Sequence, residues 1–553
     1  MSTESRTVAE LVISCLEAEG VEYMFGIPGE ENIRLVDATA GSKIRFILAR
    51  HEQAAAFMAD IYGRLTGKAA VCTATLGPGA INLLLGVADA QTDSTPLVAI
   101  SAQAGLSRLH KESHQSVDLV AMFRPVTKWA DMVVTPEAVP EMLRKAFDLA
   151  HRERPGATYL AIPEDVESAA APADAKPLPA RPRHAIAPDA GSVARAVELI
   201  RAAKRPVMLA GHGVARSGAA EALTALAEQL NMPVATTFMG KGVISDRHPN
   251  ALGVVGFMRH DYENFAFDEA DLILSIGYEL QEFAPARINP QQDKTIVHVH
   301  RFAADTDAAY PVAVSLEADI PQAIAALAEA FRGGTVPPNH PAPKIRALRD
   351  QELLSHEADD AFPLKPQRVV SDMRKALGDE DILLTDTGAI KMWVARLYPT
   401  YKPLTCLISN GLATMAWSLP GALAAALAKP DRKILAAMGD GGFMMNSQEI
   451  ETAMRERIPL KVLIWEDGSY GLIKWKMDME FGHHNDVDFT NPDFVKYAES
   501  FGAKGYRIGA ASELLPTLQK ALAEDGVSII TCPVDYSENM KLTDRLGELT
   551  IAL

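Results

Sequence analysis

Residues 434–473 read ILAAMGDGGFMMNSQEIETAMRERIPLKVLIWEDGSYGLI, and the rest of the chain can be interpreted from this segment. It begins with an apolar run at 434–438, turns abruptly at a glycine-rich tetrapeptide, and continues with apolar residues at helical spacing from Met444 to Met454. A second apolar run follows at 460–465. Strand, turn, helix and strand in this order predict the βαβ unit of a parallel sheet.

Two aspartates follow the two apolar runs of this unit. Asp440 lies within the turn Gly439-Asp440-Gly441-Gly442, and Asp467 follows the second run. Because parallel strands present their carboxyl ends at one edge of a sheet, we expect both side chains to face one pocket. Two carboxylates beside exposed backbone suit a Mg²⁺ ion that also holds phosphate oxygens. The tripeptide GDG alone is more typical of an ordinary tight turn, but the complete strand-to-strand pattern favours the metal site.

Length, composition and charge indicate a globular protein of several domains. The chain has 553 residues, of which 48% are apolar and 23% are charged, as in soluble proteins. Its formal net charge of −17 argues against nucleic acid as a partner, because no basic stripe is available to neutralise phosphates.

Cysteine usage and hydropathy predict a cytoplasmic protein. The four cysteines are scattered without metal-ligand spacing, which fits reduced thiols, and the N-terminus lacks the apolar core of a signal peptide. Two uncharged segments, 69–88 and 403–428, are long enough to span a bilayer, but glycine, proline and asparagine interrupt both. We therefore expect no membrane span.

Apolar runs alternate with helical patterns along the whole chain, which predicts an α/β fold with doubly wound parallel sheets. Two segments rich in proline without apolar periodicity, 169–189 and 335–344, are typical of linkers. They predict three domains, at residues 1–180, 190–345 and 360–553.

The second of these domains contains an incomplete dinucleotide fingerprint. The segment GHGVARSG follows the apolar run at 206–210, but Arg216 occupies the third glycine position. We therefore do not expect a NAD site, although a nucleotide-dependent oxidoreductase remains an alternative function.

The motifs of the first and third predicted domains together resemble the thiamine-diphosphate-dependent enzymes. GDGG, the strand that ends at Asp467, and Arg50-His51-Glu52 carry this resemblance. It covers nearly the full chain and is closest to the catabolic, acetolactate-synthase-like branch, through segments such as GIPG, RHEQAAAFMA, GPGAINL and ISNGLATMAWSLPGALAAAL. The resemblance implies a pyrimidine-binding, a central and a diphosphate-binding domain, in that order.

The resemblance implies thiamine diphosphate and Mg²⁺ as cofactors. Glu52 would hydrogen-bond the pyrimidine nitrogen N1′, and a carboxyl group in an apolar setting holds the required proton more readily. Without the GDGG pattern, an acid at a helix N-terminus would be the favoured interpretation of Glu52. Asp440, Asp467 and the backbone carbonyl of Ser469 would bind the metal, and Met415 would lie beneath the cofactor, although a lone methionine is usually core. The other residues expected to contact the cofactor are Pro28, Thr387, Gly388, Ala389, Gly411, Gly439, Gly441, Gly442, Tyr470 and Gly471.

Five polar residues are candidates for the substrate side of the site. His114 and Gln115 fall in a segment whose counterparts line the substrate channel, so the resemblance implies a catalytic contribution from both. As bare sequence, such a pair in a polar loop is more often simply exposed. Gln103, Lys474 and Lys476 are further candidates, and the two lysines also fit a solvated basic face.

The reaction implied by the resemblance is the decarboxylative condensation of two pyruvates to 2-acetolactate and CO₂. This chain departs from the branch at Glu30-Glu31, where Ala-Lys is typical, and at Lys476, where glutamine is typical. A decarboxylase or carboligase acting on another 2-oxo acid is therefore an alternative. An inactive regulatory relative is disfavoured, because Glu52, Asp440 and Asp467 are all present.

The resemblance also bears on flavin and on assembly. Some members of the family hold FAD in the central domain, but the segment IGYELQEFAPA resembles flavin-free members, so FAD is not expected. Family active sites form where the first domain of one subunit meets the third domain of another, which implies a homodimer or homotetramer.

Overall fold

The computed structural model describes residues 6–182, 184–256, 261–332 and 341–540. Within them the chain forms three six-stranded sheets, and every strand pairing is parallel. Because parallel sheets are covered by helices on both faces, their strands are buried along their length. Both Ala70–Ala74 and Leu97–Gln103, for example, are buried at every position. The predicted α/β class is confirmed.

The first sheet has the strand order β2-β1-β3-β4-β6-β5. Its strands are β1 Tyr23–Gly26, β2 Arg45–Leu48, β3 Ala70–Ala74, β4 Leu97–Gln103, β5 Trp129–Met132 and β6 Ala157–Pro163. The accompanying helices are α1 Val8–Ala18, α2 Ile33–Thr39, α3 Glu52–Thr66, α4 Pro78–Thr92, α5 Leu119–Phe123, α6 Val139–His151 and α7 Glu164–Ser168.

The second sheet has the order β12-β11-β10-β7-β8-β9. Its strands are β7 Pro206–Ala210, β8 Val234–Thr236, β9 Ala251–Val254, β10 Leu272–Ile276, β11 Thr295–His300 and β12 Val312–Glu317. The helices of this part of the chain are α8 Ala190–Ala202, α9 His212–Arg216, α10 Ala220–Leu230, α11 Asn264–Glu269, α12 Ile320–Ala330 and α13 Ala342–Ser355.

The third sheet has the order β14-β13-β15-β16-β18-β17, which repeats the order of the first sheet strand for strand. Its strands are β13 Ile382–Thr385, β14 Cys406–Ile408, β15 Ile434–Gly439, β16 Leu460–Glu466, β17 Lys504–Arg507 and β18 Val527–Pro533. The helices of this part are α14 Pro366–Ala376, α15 Ala389–Leu397, α16 Ser418–Ala428, α17 Asp440–Asn446, α18 Glu449–Glu456, α19 Gly471–Phe481, α20 Phe494–Ser500 and α21 Ala511–Ala523.

The predicted βαβ unit at 434–473 is present, with one correction. Strands β15 and β16 pair in parallel, so that Gly439 lies opposite Trp465. The single helix expected between them is two helices, α17 and α18, which are separated at residues 447–448. Met444 and Met445 are 41% and 44% exposed. The methionines of α17 therefore do not continue the buried face of α18, where Ile450 and Ala453 are fully buried.

The chain divides into two compact units by its contacts. One unit contains residues up to 183 together with 419–430 and 446–459, so that it includes most of α16 and all of α18. The other contains 184–418, 431–445 and 460 onward, which carry the second and third sheets.

The two uncharged segments form strands and helices of the sheets, and the cysteines are buried, as expected. Residues 69–88 form β3 and most of α4, and 403–428 form β14 and α16. Within the described residues, every helix is too short or too polar to span a bilayer. All four cysteines are buried and free. Part of the predicted linker at 335–344 lies outside the described residues, which resume at 341.

Candidate active site

A cavity of about 110 Å³ lies beside the carboxyl ends of β15 and β16. It is lined by both turns of the 434–473 segment, by the start of α15 and by Tyr536. The predicted cofactor contacts that line it are Thr387, Gly388, Ala389, Met415, Gly439, Asp440, Gly441, Gly442, Asp467, Tyr470 and Gly471. Predicted Gly411 is half-buried on the loop after β14 and is not among the lining residues.

Asp440 is a buried residue in the wall of this cavity. Its Oδ2 accepts the backbone N–H groups of Asp467 at 3.1 Å and Gly468 at 2.8 Å, and the side-chain amide of Asn491 at 2.7 Å. Its Oδ1 accepts the N–H of Gly441 at 2.8 Å. Burial raises the pKa of Asp440, and these four donors oppose that rise. The carboxylate thus links the two strand ends that the sequence predicted to share a pocket.

Asp467 is a second carboxylate in the same wall. Burial, and then the charge of Asp440, raise the pKa of Asp467 to about 7, while the Ser469 hydroxyl donates to its Oδ2 at 2.9 Å. The two carboxylates repel one another, and a divalent cation between them would favour the charged form of both. Among the described residues no cluster of three or more His, Cys, Asp or Glu side chains forms. A Mg²⁺ ion here would therefore be completed by backbone and ligand oxygens, as Mg²⁺ at phosphate sites usually is.

The opposite wall of the cavity suits an anion. The Thr387 hydroxyl is buried and has no hydrogen-bond partner within the described ranges, which leaves it available to a bound phosphate oxygen. Gly388, with φ +143°, directly precedes α15, whose first N–H groups have no partner within the helix. Gly471 permits a close approach, because a Cβ there would lie 2.6 Å from Asp467 Oδ2.

Met415 lies in a loop whose backbone is held in an unfavourable conformation. Ala413 and Ala416 on either side of it have φ values of +56° and +64°, which cost non-glycine residues on the order of 1 kcal/mol each. The buried carboxylate of Asp386 holds the loop by accepting three successive N–H groups, those of Ala416 at 2.6 Å, Trp417 at 2.9 Å and Ser418 at 2.8 Å. Burial raises the pKa of Asp386 to about 6.

Glu52 begins α3 in the unit that contains the first sheet. Its Oε2 accepts the side-chain amide of Asn82 at 3.0 Å, and a Cβ at Gly79 would lie 3.3 Å from its Oε1. His51 caps the helix through Nδ1, which accepts the N–H of Gln53 at 3.1 Å. The carboxylate is therefore half-buried against the Gly77-Pro78-Gly79 turn at the start of α4.

His114 and Gln115 are exposed on a loop beside that turn. The Gln115 carbonyl lies 2.8 Å from where a Cβ of Gly77 would stand. Gln103, another candidate for the substrate side, is buried, and its side-chain amide is hydrogen-bonded to backbone. Its Nε2 donates to the Val117 carbonyl at 3.0 Å, and its Oε1 accepts the N–H of Ala104 at 2.8 Å. Gln103 therefore anchors this loop.

The two predicted lysines lie on α19. The Lys474 ammonium pairs with Asp488 at 2.9 Å, and Lys474 lines a second cavity of about 550 Å³ that also contacts Asp467 and Tyr536. Lys476 is exposed. Pro28, a predicted cofactor contact, is exposed on the loop after β1.

In the central part of the chain, the glycine-rich turn before α9 is filled by the chain's own carboxylate. Glu282 accepts the N–H of His212 at 3.2 Å, the N–H of Glu279 at 3.0 Å and the hydroxyl of Thr237 at 2.5 Å. Burial raises the pKa of Glu282 to about 8. Dinucleotide-binding folds place a phosphate at the start of this helix, whereas here a carboxylate lies there. Arg216, at the failed glycine position, pairs with Glu279 at 2.6 Å.

Sequence reasoning missed the residues that hold the functional groups. Asn82, Asn491 and Asp386 each contact a predicted site residue or its loop from a distant position in the chain. Only Asp386 carried a recognisable signal, since it directly follows a buried strand as Asp440 does.

Comparison with known proteins identifies one family along the chain. Residues 6–122 match the thiamine pyrophosphate enzyme N-terminal TPP binding domain, 193–327 match its central domain, and 386–532 match its C-terminal TPP binding domain. The acetolactate synthase of Bacillus subtilis (strain 168) is 35% identical, over 98% of this chain and 96% of its own. The catabolic acetolactate synthase of Raoultella terrigena is 35% identical over 97% of each chain. The probable acetolactate synthase large subunit of Methanococcus aeolicus is 34% identical, over 98% and 94%.

Proposed function

This chain belongs to the thiamine pyrophosphate enzyme family, and on that premise we propose that it is an acetolactate synthase. It would condense two pyruvates to 2-acetolactate with loss of CO₂. The observation that carries this proposal is the similarity to acetolactate synthases over nearly the whole length of both chains. The presence of Glu52, Asp440 and Asp467 in suitable settings argues for an active enzyme.

The proposal assigns cofactor binding to the cavity beside β15 and β16. Asp440, Asp467 and the backbone carbonyl of Ser469 would hold Mg²⁺, and the Thr387 hydroxyl with the N–H groups at the start of α15 would hold the diphosphate. When bound, thiamine diphosphate supplies the nucleophilic carbon and the electron sink for decarboxylation.

The protein's own part in the chemistry is to position groups and to hold a proton. Glu52 would keep a proton between its carboxylate and the pyrimidine nitrogen, with Asn82 fixing the other oxygen. Met415, in a loop held by Asp386, would support the cofactor from below without making a polar contact. His114 and Gln115 are exposed on the loop beside Glu52, which suits contact with a small 2-oxo acid.

We propose that the enzyme uses no FAD. Glu282 supports this, because its side chain already accepts the N–H group at the start of α9 where a dinucleotide phosphate would bind. The purified enzyme is then expected to show no flavin absorbance and no gain of activity on addition of FAD. A yellow protein with a flavin spectrum would contradict the proposal.

We further propose a homodimer or homotetramer in which Glu52 of one subunit serves the metal site of another. Mixing inactive Glu52→Gln and Asp440→Ala subunits after reversible dissociation tests this directly. Random reassociation makes half of the dimers hybrid, and each hybrid has one intact composite site, so about a quarter of the wild-type activity should return. If each site used one subunit only, no activity would return.

The test of the reaction itself is product identification. Purified enzyme is incubated with thiamine diphosphate, Mg²⁺ and pyruvate, with Glu52→Gln as the control, and the products are identified by NMR. Acetolactate supports the proposal, and acetaldehyde alone would make the enzyme a decarboxylase. No turnover of pyruvate would favour another 2-oxo acid, the alternative suggested by Lys476 and by Glu30-Glu31.

A further inference from the structure

The loop that precedes Glu52 is held by a buried glutamate from a distant part of the chain. Glu449, the first residue of α18, is 0% exposed. Its Oε1 accepts the backbone N–H groups of Arg50 and His51, both at 3.0 Å, and its Oε2 lies 3.2 Å from the Arg50 nitrogen. The hydroxyl of Thr452 donates to the same Oε2 at 2.6 Å.

These two N–H groups are the last before the helix that begins at Glu52. The His51 side chain caps only the N–H of Gln53, so the N–H groups of Arg50 and His51 depend on Glu449. Any displacement of this pair of peptides changes the direction in which α3 starts, and with it the place of the Glu52 carboxylate.

Helix α18 also contacts strand β2 at its exposed side. The Arg455 guanidinium donates to the Leu48 carbonyl, and Glu456 pairs with Arg45 at 2.5 Å. The Arg45 side chain is 49% exposed, and exposed ion pairs contribute little to the geometry of the strands they join. The buried contact of Glu449 is the one made to the two peptides that directly precede α3.

Stability alone is a weak reason for such a carboxylate. Burial raises the pKa of Glu449 to about 7 even though three donors surround it, and a buried charge usually costs more than an apolar replacement would. A carboxylate can accept two successive backbone N–H groups on one oxygen while the other oxygen is fixed, which restrains both peptides at once.

We propose that Glu449 is a positioning residue for Glu52. By fixing the peptides of Arg50 and His51, it sets the place of the Glu52 carboxylate relative to the group that this carboxylate serves. This inference rests on the proposed function of Glu52. The segment 434–473 would then serve both halves of the chemistry, since it supplies Asp440 to the metal site and Glu449 to the loop of the catalytic acid.

The test compares Glu449→Gln and Glu449→Asp with Glu456→Gln, a matched substitution on the same helix. Exchange of the cofactor C2 proton for deuterium is followed by NMR after acid quench, alongside kcat, KM for pyruvate and the melting temperature. We expect exchange and kcat to fall about tenfold or more in both Glu449 variants, because a small misplacement of a catalytic group costs up to a hundredfold. KM should change little, and Glu456→Gln should stay within about twofold of wild type, because its ion pair is open to solvent on the Arg45 side.

The outcomes separate this inference from the proposed function. Normal exchange in Glu449→Gln together with a lower melting temperature would show a purely structural role and overturn the inference. Absence of cofactor exchange in the wild type would instead overturn the proposed function. If neither Glu449 variant folds, Thr452→Val takes their place, because it frees one carboxylate oxygen. Unchanged exchange in that variant would also overturn the inference.

Discussion

The first and third sheets share one strand order, but the loops at their carboxyl edges carry different chemistry. The third strand of each sheet leads into a glycine-rich turn and a helix, Gly77-Pro78-Gly79 in the first sheet and Gly439 to Gly442 in the third. The first turn contains no acid and packs against Glu52, whereas the second contains Asp440.

The other equivalent positions differ in the same way. The second strand is followed by Glu52 in the first sheet and by the Met415 loop in the third. The fourth strand of the first sheet ends at Gln103, whose side-chain amide is hydrogen-bonded to backbone. The fourth strand of the third sheet leads to Asp467, and burial raises the pKa of that residue to about 7. One architecture therefore presents Glu52 at one edge and Asp440 with Asp467 at the other, so function depends on the loops rather than on the sheet.

The largest effects are expected from substitutions at Glu52, at the edge of the first sheet, and at Asp440, at the edge of the third sheet. Glu52→Gln should lower kcat by about 10²- to 10⁴-fold, the usual share of a general acid or base, with little change in cofactor affinity. Asp440→Asn should raise the Mg²⁺ and thiamine diphosphate concentrations needed for activity, because it removes one of two charges in the metal site. Steady-state rates over a cofactor titration distinguish them. Equal loss of cofactor affinity in both variants would contradict the division of roles.

Removal of the cofactors should have different effects on the stability of the Glu52 and Asp440 variants. Mg²⁺ and thiamine diphosphate at about 100 times their dissociation constant should add about 2.7 kcal/mol to the free energy of unfolding, and a chelator should remove it. This gain should persist in Glu52→Gln and be lost in Asp440→Asn, measured by denaturant unfolding. Stabilisation of Asp440→Asn to the wild-type extent would place the metal elsewhere.

Much of this division was predictable from sequence, for a physical reason. Buried parallel strands are apolar along their length, so β15 and β16 can be recognised in the sequence as apolar runs. The acids that follow them stand out because they end these runs. Strands β5 and β17 lack that signal. Strand β5 contains an exposed Asp131, β17 is exposed at both of its ends, and neither was expected as a strand. The break between α17 and α18 was likewise hidden, since spacing alone does not reveal where a helix stops.

The residues that position the site were not predictable, because their partners are set only by tertiary structure. Asn491 reaches Asp440 from a loop after α19, and Glu449 reaches the Arg50 peptide. In the sequence, an asparagine or glutamate that makes such a contact cannot be distinguished from one whose side chain is exposed to solvent. Sequence motifs therefore identified the residues expected to contact a ligand. The residues that position those motifs could be identified only from the folded structure.

A third, smaller effect concerns the Met415 loop, whose backbone is held by the buried carboxyl group of Asp386. Burial raises the pKa of Asp386 from 3.8 to about 6, so the folded state binds more protons than the unfolded state between these values. Its contribution to stability is fully present below pH 4 and is lost as pH rises through about 6. Asp386→Asn should remove this dependence.

The free energy of unfolding of Asp386→Asn should therefore fall less than that of wild type between pH 4 and pH 7, by about 1–3 kcal/mol. Urea unfolding of both proteins across this range, with Asp379→Asn as an exposed control, measures the difference. Parallel pH profiles for Asp386→Asn and wild type would show that the loop does not depend on the ionisation of Asp386.

The smallest predicted effect concerns Glu52 at the edge of the first sheet. Asn82→Ala removes the donor that holds Glu52 Oε2 at 3.0 Å and leaves the metal site unaltered. Loss of one such hydrogen bond should lower kcat about tenfold, equivalent to about 1.4 kcal/mol, without changing the Mg²⁺ requirement. A shift in the Mg²⁺ titration would mean that the two edges are coupled. Asn82→Asp should lower kcat at least as far, because a second carboxylate beside Glu52 both removes the donor and repels its charge.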